Sequence, residues 1–173
     1  WSVAGEPGLF RVTNTVTGRP ATRVWYDALG REVRSANLRY DGSWQYAERE
    51  YDSRGRLLRT SLPYKDTAAG PTYWNTYAYD VYDRPVSLHE AGGKQTTWEY
   101  SGTSTTTTSD GVSTTITTNA SGDVIRVSDP GGAITYTLRD DAQPAKVTVT
   151  PAGSSQSVET TFSYDSVGRR TAI

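Results

Sequence analysis

Bulky apolar residues alternate with polar ones in short runs along this chain, and each run ends in a cluster of turn-forming residues. Val24 and Tyr26, Tyr77 and Tyr79, Trp98 and Tyr100, and Phe162 and Tyr164 each stand two positions apart. A two-residue period is that of a strand with one half-buried face. Three positions past a turn glycine an apolar residue returns, as Val33, Leu58 and Ile125. The pattern predicts strands over most of the chain and no helix.

The turns between runs share one phrase, Tyr-Asp-x-x-Gly-Arg. It stands as Tyr26-Asp27-Ala28-Leu29-Gly30-Arg31, as Tyr51-Asp52-Ser53-Arg54-Gly55-Arg56 and as Tyr164-Asp165-Ser166-Val167-Gly168-Arg169. Asp at the first position of a type I turn accepts hydrogen bonds from backbone N–H groups ahead of it. Gly at the fourth position takes the positive φ that a hairpin with a G1 bulge requires. Asn119-Ala120-Ser121-Gly122 meets the same demand with Asn as acceptor, and Asp129-Pro130-Gly131-Gly132 places Pro where its fixed φ suits the second turn position. Glu90-Ala91-Gly92-Gly93-Lys94 and Thr15-Val16-Thr17-Gly18-Arg19 read as further tips. A phrase that recurs every 20 to 30 residues, roughly, marks an array of small units that bury apolar surface only against their neighbours.

Some copies are worn. Tyr79-Asp80-Val81-Tyr82-Asp83-Arg84 carries Asp83 in the glycine position, which Asp tolerates better than most residues. Asp141-Ala142-Gln143-Pro144 has Pro there, so a different, looser turn is expected. Residues 101–118 are mostly Ser and Thr. They fit a polar hairpin turning at Ser109-Asp110-Gly111, with a disordered linker as the alternative. Leu62 to Trp74, with Pro63, Gly70 and Pro71, reads as the longest surface loop.

Composition narrows the function. The 173 residues carry a net charge of -1, with no overall pull toward nucleic acid or an anionic membrane. No apolar run approaches the roughly 18 residues of a membrane-spanning helix. With no Cys there are no disulfides or thiolate metal sites. Trp1 in place of an initiator Met reads as the start of a processed or excised piece, with any targeting signal upstream.

Candidate chemistry is sparse. His89 is the single His, and no Gly-x-Ser-x-Gly elbow accompanies it, so it reads as a surface or sheet His. The repeated Asp residues form no Asp-x-Asp-x-Asp-Gly calcium loop, and turns explain them. Asp80/Asp83 and Glu48/Glu50 are the carboxylate pairs that glycoside hydrolysis could use, although spacing along a chain does not give their separation. Neither enzymatic activity nor a metal or cofactor is expected. The Arg after each turn (Arg31, Arg56, Arg84, Arg169) can pair with its own Asp or stack on the Tyr of a neighbouring unit, and a basic stripe for nucleic acid is the weaker reading. Trp25, Trp44, Trp74 and Trp98 read as packing residues, with sugar platforms as the rival.

The set Tyr26, Asp27, Gly30, Arg31; Tyr51, Asp52, Gly55, Arg56; Tyr79, Asp80, Arg84; and Tyr164, Asp165, Gly168, Arg169 resembles the Rhs/YD-repeat family, named for the Tyr-Asp pair. That family includes bacterial Rhs polymorphic toxins and Tc toxin shell subunits and is related to the YD repeats of teneurins. The likeness spans about residues 13–173, poorest near 101–118 and 138–147, and residues 1–173 read as a single repeat segment of about seven to eight hairpin units. Gly122 to Gly132 resembles the stretch linking one unit to the next. The resemblance implies an all-β array of antiparallel hairpins in a continuous, twisted or spiralling sheet, one arc of a hollow β-shell. It also implies a structural role around a toxin or cargo domain, with a secreted or cell-surface location in bacteria. Expected partners are neighbouring repeats of the parent chain and an enclosed toxin domain. Open sheet edges add edge-to-edge self-association. An adhesion or carbohydrate-binding module, with glycans as partners, is the alternative. The family's autoproteolytic motif is not recognisable here, so self-cleavage is not carried over.

Overall fold

The computed structural model describes residues 8–65 and 70–173. Trp1 and the middle of the Leu62–Trp74 loop lie outside the described residues. The described chain is all β. Its strands are β1 (Phe10–Asn14), β2 (Thr22–Tyr26), β3 (Glu32–Leu38), β4 (Trp44–Tyr51), β5 (Leu57–Ser61), β6 (Tyr64–Lys65), β7 (Trp74–Tyr79), β8 (Pro85–His89) and β9 (Gln95–Ser101). There follow β10 (Ser104–Ser109), β11 (Val112–Thr118), β12 (Val124–Asp129), β13 (Gly132–Leu138), β14 (Pro144–Pro151), β15 (Val158–Thr161), β16 (Ser163–Tyr164) and β17 (Arg170–Ala172). Fifteen strands form one antiparallel sheet ordered as they occur in the chain, except that β6 pairs with β4; β16 and β17 pair separately. Such an up-and-down order needs only short hairpin connections, which the turn residues supply. The chain divides into two compact units, residues 1–95 and 96–173.

In the first unit the packing centre is not on the face that the alternation suggests. Val24 and Tyr26 are only half-buried, whereas Trp25 between them is 2% exposed. Trp25 joins Ala36 (1% exposed) and Tyr46 (8%), with Val33, Trp44 and Tyr64 packed around them. Register explains the grouping, because Ala36 faces Tyr46 and Tyr46 faces Tyr64 across the ladder, so one face collects the large rings. The rings of Trp25 and Tyr46 lie 6.1 Å apart and those of Tyr46 and Tyr64 5.9 Å apart, in tilted contacts. Ser61 is also buried, and its hydroxyl oxygen accepts the Glu48 N–H at 2.8 Å.

The second unit is patterned by face. Register places Trp98 and Tyr100 on one side with Ile116, Val127, Ile134, Tyr136, Val147 and Val149. The Ser/Thr segment is a paired hairpin of β10 and β11. Its hydroxyls on the other side bond across the ladder, Ser104 with Thr117, Thr106 with Thr115 and Thr108 with Ser113, each at 2.8 Å. Thr is both β-branched and able to satisfy its own hydroxyl across the strand pair, which is why this polar sequence forms sheet. Asp110 (φ 52°) and Gly111 (φ 78°) make its two-residue turn.

Two turns depart from expectation. Around Asp141 the hairpin is not looser; the usual corner forms two residues earlier. Arg139 N–H donates to the Gln143 carbonyl at 2.8 Å, and Ala142 N–H to the Arg139 carbonyl at 3.0 Å. Ala142, not Pro144, holds the left-handed position, at φ 62°, and Pro144 opens β14. An alanine there carries backbone strain that a glycine lacks. Ala142→Gly is therefore expected to stabilise the second unit by about 1 kcal/mol, read from the urea midpoint. The other departure is a corner at Arg39-Tyr40-Asp41-Gly42-Ser43, where Arg39 N–H donates to the Ser43 carbonyl at 2.8 Å. Its Asp stands third instead of first, so it escapes a search for the Tyr-Asp-x-x-Gly phrase.

Candidate functional site at the hairpin corners

Each corner is closed by the Asp that opens it. At the first, Asp27 Oδ1 accepts the N–H groups of Leu29 and Arg31, both at 2.9 Å. Gly30 N–H donates to the Asp27 carbonyl at 3.0 Å, and Asp27 N–H to the Arg31 carbonyl at 2.9 Å. Gly30 has φ 75°, and the ladder slips one register between Trp25 and Tyr26, as a bulged type I hairpin requires. Asp52, Asp80 and Asp165 repeat these bonds to Arg56, Arg84 and Arg169, the last two N–H groups being held at 3.0 Å and 2.8 Å. Gly55 and Gly168 take φ 85° and 81°. Asp83 adopts φ 65° in the glycine position.

The Arg of the phrase has two jobs. Its Nε donates to the second carboxylate oxygen of its own Asp at 2.7 Å in all four corners. In the first two corners it also reaches the next hairpin. The Arg31 guanidinium lies 4.4 Å from the Tyr51 ring centre and that of Arg56 lies 4.8 Å from Tyr79. The tyrosine replies with its hydroxyl: Tyr51 donates to the Glu32 carbonyl at 2.8 Å, Tyr79 to Leu57 at 2.9 Å and Tyr164 to Pro144 at 2.9 Å. In each case the acceptor is the residue just past an earlier corner, at 27–31, 52–56 and 139–143 respectively. Where that corner is the displaced one, Arg139 covers Tyr164 at 4.6 Å. Asp and Gly thus shape the corner, Tyr fastens a hairpin to the corner before it, and Arg joins the two. Arg84 pairs with Asp80 and covers Tyr82 of its own turn at 5.2 Å, and the Arg169 side chain is 80% exposed.

Asp83 carries more than backbone geometry. Its Oδ1 takes Arg56 at 2.6 Å and Arg54 at 2.9 Å, tying the corner at 52–56 to the one at 80–84. Asn119 shows the corner with roles exchanged: its Oδ1 accepts Ser121 and Asp123 N–H groups at 2.9 Å, and its Nδ2 donates to Asp123 at 3.0 Å.

These bonds perturb the carboxyls. Asp27 and Asp165 are held below their ordinary pKa, foremost by the Arg31 and Arg169 N–H groups. At Asp52 and Asp80 partial burial pushes upward, but the bonds from Arg56 and Arg84 outweigh it and both end lowered. A carboxyl lowered on folding contributes stability above its unfolded pKa, near 4, and loses it as pH falls through the folded value. The urea midpoint is therefore expected to stay level from about pH 7 to 5 and to drop below about pH 4. An Asp52→Asn/Asp80→Asn variant, with the Asn acceptor retained, is expected to show a shallower acid drop.

The remaining carboxylate candidates are held in structural pairs. Glu48 takes Arg34 in a two-nitrogen bond, at 3.0 and 2.5 Å, together with the Tyr64 hydroxyl at 2.6 Å; Glu50 pairs with Arg59 at 2.7 Å. His89 ends β8 opposite Thr76 and is exposed. Trp25 is buried, and the faces of Trp44 and Trp74 carry Arg23 and Arg59 at 3.9 and 4.1 Å. The Arg34–Glu48–Tyr64 group has no signal in the sequence, since its members meet only through strand register.

Crystal structures of TcdB2–TccC3 share this architecture. The structure of TcdB2-TccC3-Cdc42 matches 87% of the chain at 18% identity with a TM-score of 0.50. Those of TcdB2-TccC3-TEV and TcdB2-TccC3 match 86% and 87% at 18% and 19% identity, both with a TM-score of 0.52. The chain has a Tc toxin/Rhs-like β fold. It spans only 8–9% of the length of those chains, so this fold corresponds to a small part of each. No protein-family model and no curated protein sequence matches the chain.

Proposed function

We propose that the chain is a structural segment of a bacterial Rhs/YD-repeat protein, building part of a β-sheet shell or scaffold that encloses or presents a toxin or cargo domain. The observation that carries this reading is the fastening of one hairpin to the corner before it, made by the same Tyr and Arg of a recurring phrase. The device propagates along a sheet and serves no reaction. The candidate carboxylates are engaged by arginines, which favours a non-enzymatic role. Neighbouring repeats of the parent chain are the natural partners of the edges at β1 and β15, and an isolated segment would pair those edges with other copies. Secretion to the bacterial surface or beyond follows from the proposed role.

The test is the parent reading frame. Further Tyr-Asp-x-x-Gly-Arg units on one or both sides, followed by a dissimilar C-terminal domain, are expected. A frame with no further copies on either side contradicts the proposal.

A further inference from the structure

Tyr51, Tyr79 and Tyr164 each fasten a hairpin through a hydroxyl bond and lie under a guanidinium. Tyr40 does neither. It stands inside the corner Arg39-Tyr40-Asp41-Gly42-Ser43 and is fully exposed. Turn positions favour small polar residues, and a large ring left wholly in solvent there adds no burial to the fold.

The ring borders a groove of about 470 Å³, with Asn37, Gln45 and Asp41 among its walls. That volume falls within the roughly 300–1,000 Å³ of small-molecule sites. The groove opens on the face away from the core. Ala36 and Tyr46 are buried on one side of β3 and β4, so Asn37 and Gln45, their neighbours in the chain, point to the other. Asn37 and Gln45 are paired across the ladder, which sets two planar amides side by side. Neither amide side chain has a hydrogen-bond partner among the described residues, and each offers two donors and an acceptor. Asp41 closes the groove at the turn. Its Oδ1 takes the Ser43 N–H at 2.9 Å and the Ser43 hydroxyl at 2.6 Å, and its Oδ2 is left over as an acceptor. Arg39 and Asp41 stand at the same rim, so no single sign of charge selects the occupant.

We propose that this groove is a saccharide site for β-linked pyranoses with equatorial hydroxyls. Such a sugar carries bare C–H groups above and below its ring and its hydroxyls at the edge. The Tyr40 ring supplies a flat apolar surface for the C–H face, and Asn37, Gln45 and Asp41 Oδ2 meet the hydroxyls. Unlike Trp44 and Trp74, whose faces carry Arg23 and Arg59, the Tyr40 ring is open. An exposed ring alone suits any apolar group, and unpaired amides alone suit water; side by side they suit a ligand that is apolar on its face and polar at its edge. The site is independent of the role assigned to the corners, because none of its side chains fastens one hairpin to another.

Cellotriose and chitotriose, both β-linked with equatorial hydroxyls, are the probes, titrated into the whole 173-residue protein labelled with nitrogen-15. The side-chain amide resonances of Asn37 and Gln45 are expected to shift with at least one of them. Tyr40→Ala is expected to weaken binding about tenfold or more, and Tyr40→Phe by no more than about threefold, since Phe keeps the stacking surface. Asn37→Ala is expected to weaken it about three- to tenfold. Tyr82→Ala, which removes an exposed tyrosine at another corner, is expected to leave binding unchanged. All three positions are exposed, so the urea midpoints of these variants are expected to stay level and a lost shift then reports binding. Equal weakening by Tyr82→Ala overturns the site as unspecific contact with exposed rings. Equal losses for Tyr40→Phe and Tyr40→Ala overturn the stacking that defines it. Heparin shifting the same amides while neither probe does overturns the proposal in favour of an anionic glycan, and absence of any shift overturns it outright.

Discussion

Trp25→Ala is expected to cost the first unit about 3–5 kcal/mol, the usual range for deleting a large ring from a core. Trp25 is 2% exposed, and its loss would leave Tyr46 and Ala36, the other members of that core, without their largest neighbour. The unit has no second cluster to fall back on among its described residues, since Ser61 is the one further buried side chain. Amide exchange of β2 to β4 should accelerate by the corresponding factor. Trp25→Phe separates the ring from its N–H. It keeps most of the contact and removes a buried donor that has no partner, so it is expected to cost under about 1.5 kcal/mol. Equal losses for the two variants would mean that the indole N–H is satisfied in solution.

Gly132→Ala is the second large effect, and it arises in the second unit. Gly132 has φ 140°, where an L side chain is strained. A methyl group there would sit 2.9 Å from Pro151 Cα and 3.0 Å from Ala152 N, and against the Thr150 carbonyl as well. All three are backbone atoms of the paired strand region, so they cannot rotate away. Strain and overpacking together put the cost at about 3 kcal/mol or more. Gly131, one residue earlier, has no positive φ, and its added methyl group would meet only the Asp129 side chain. Gly131→Ala is expected to change the unfolding midpoint little. The contrast distinguishes a steric requirement at one position from a general need for glycine in the turn.

The corners were legible because their chemistry is local. Asp27, Asp52 and Asp165 make bonds to residues two and four positions on, so the phrase itself contains donor, acceptor and left-handed glycine. The Ser/Thr hairpin was legible for a related reason, since Asp110-Gly111 fixes its turn and the Thr runs do the rest. Features decided across strands are not legible in the sequence. Val24 and Tyr26 satisfy the period-two rule, but so does the other face, with Arg23 and Trp25, and only register with Ala36 and Tyr46 makes that face the core. Charge conceals it: Arg23, Arg34 and Glu48 lie among the rings, so the buried face does not read as apolar. The corner at 139–143 is hidden because Asp141 draws the eye to the wrong first position, whereas the backbone bonds begin at Arg139. The Arg after the turn was legible in kind, as ion pair or ring partner; that Arg31 and Arg56 are both at once emerges only when successive hairpins stand side by side.

The account rests on that joint between a corner and the next hairpin. A double-mutant cycle on Arg56→Met and Tyr79→Leu, read by urea unfolding, addresses it directly, because the single changes remove other contacts and the cycle isolates the pair. A coupling of about 0.5–1 kcal/mol is expected, as for a partly exposed guanidinium over a tyrosine ring. Additive losses, with no coupling between the two positions, would contradict the joint.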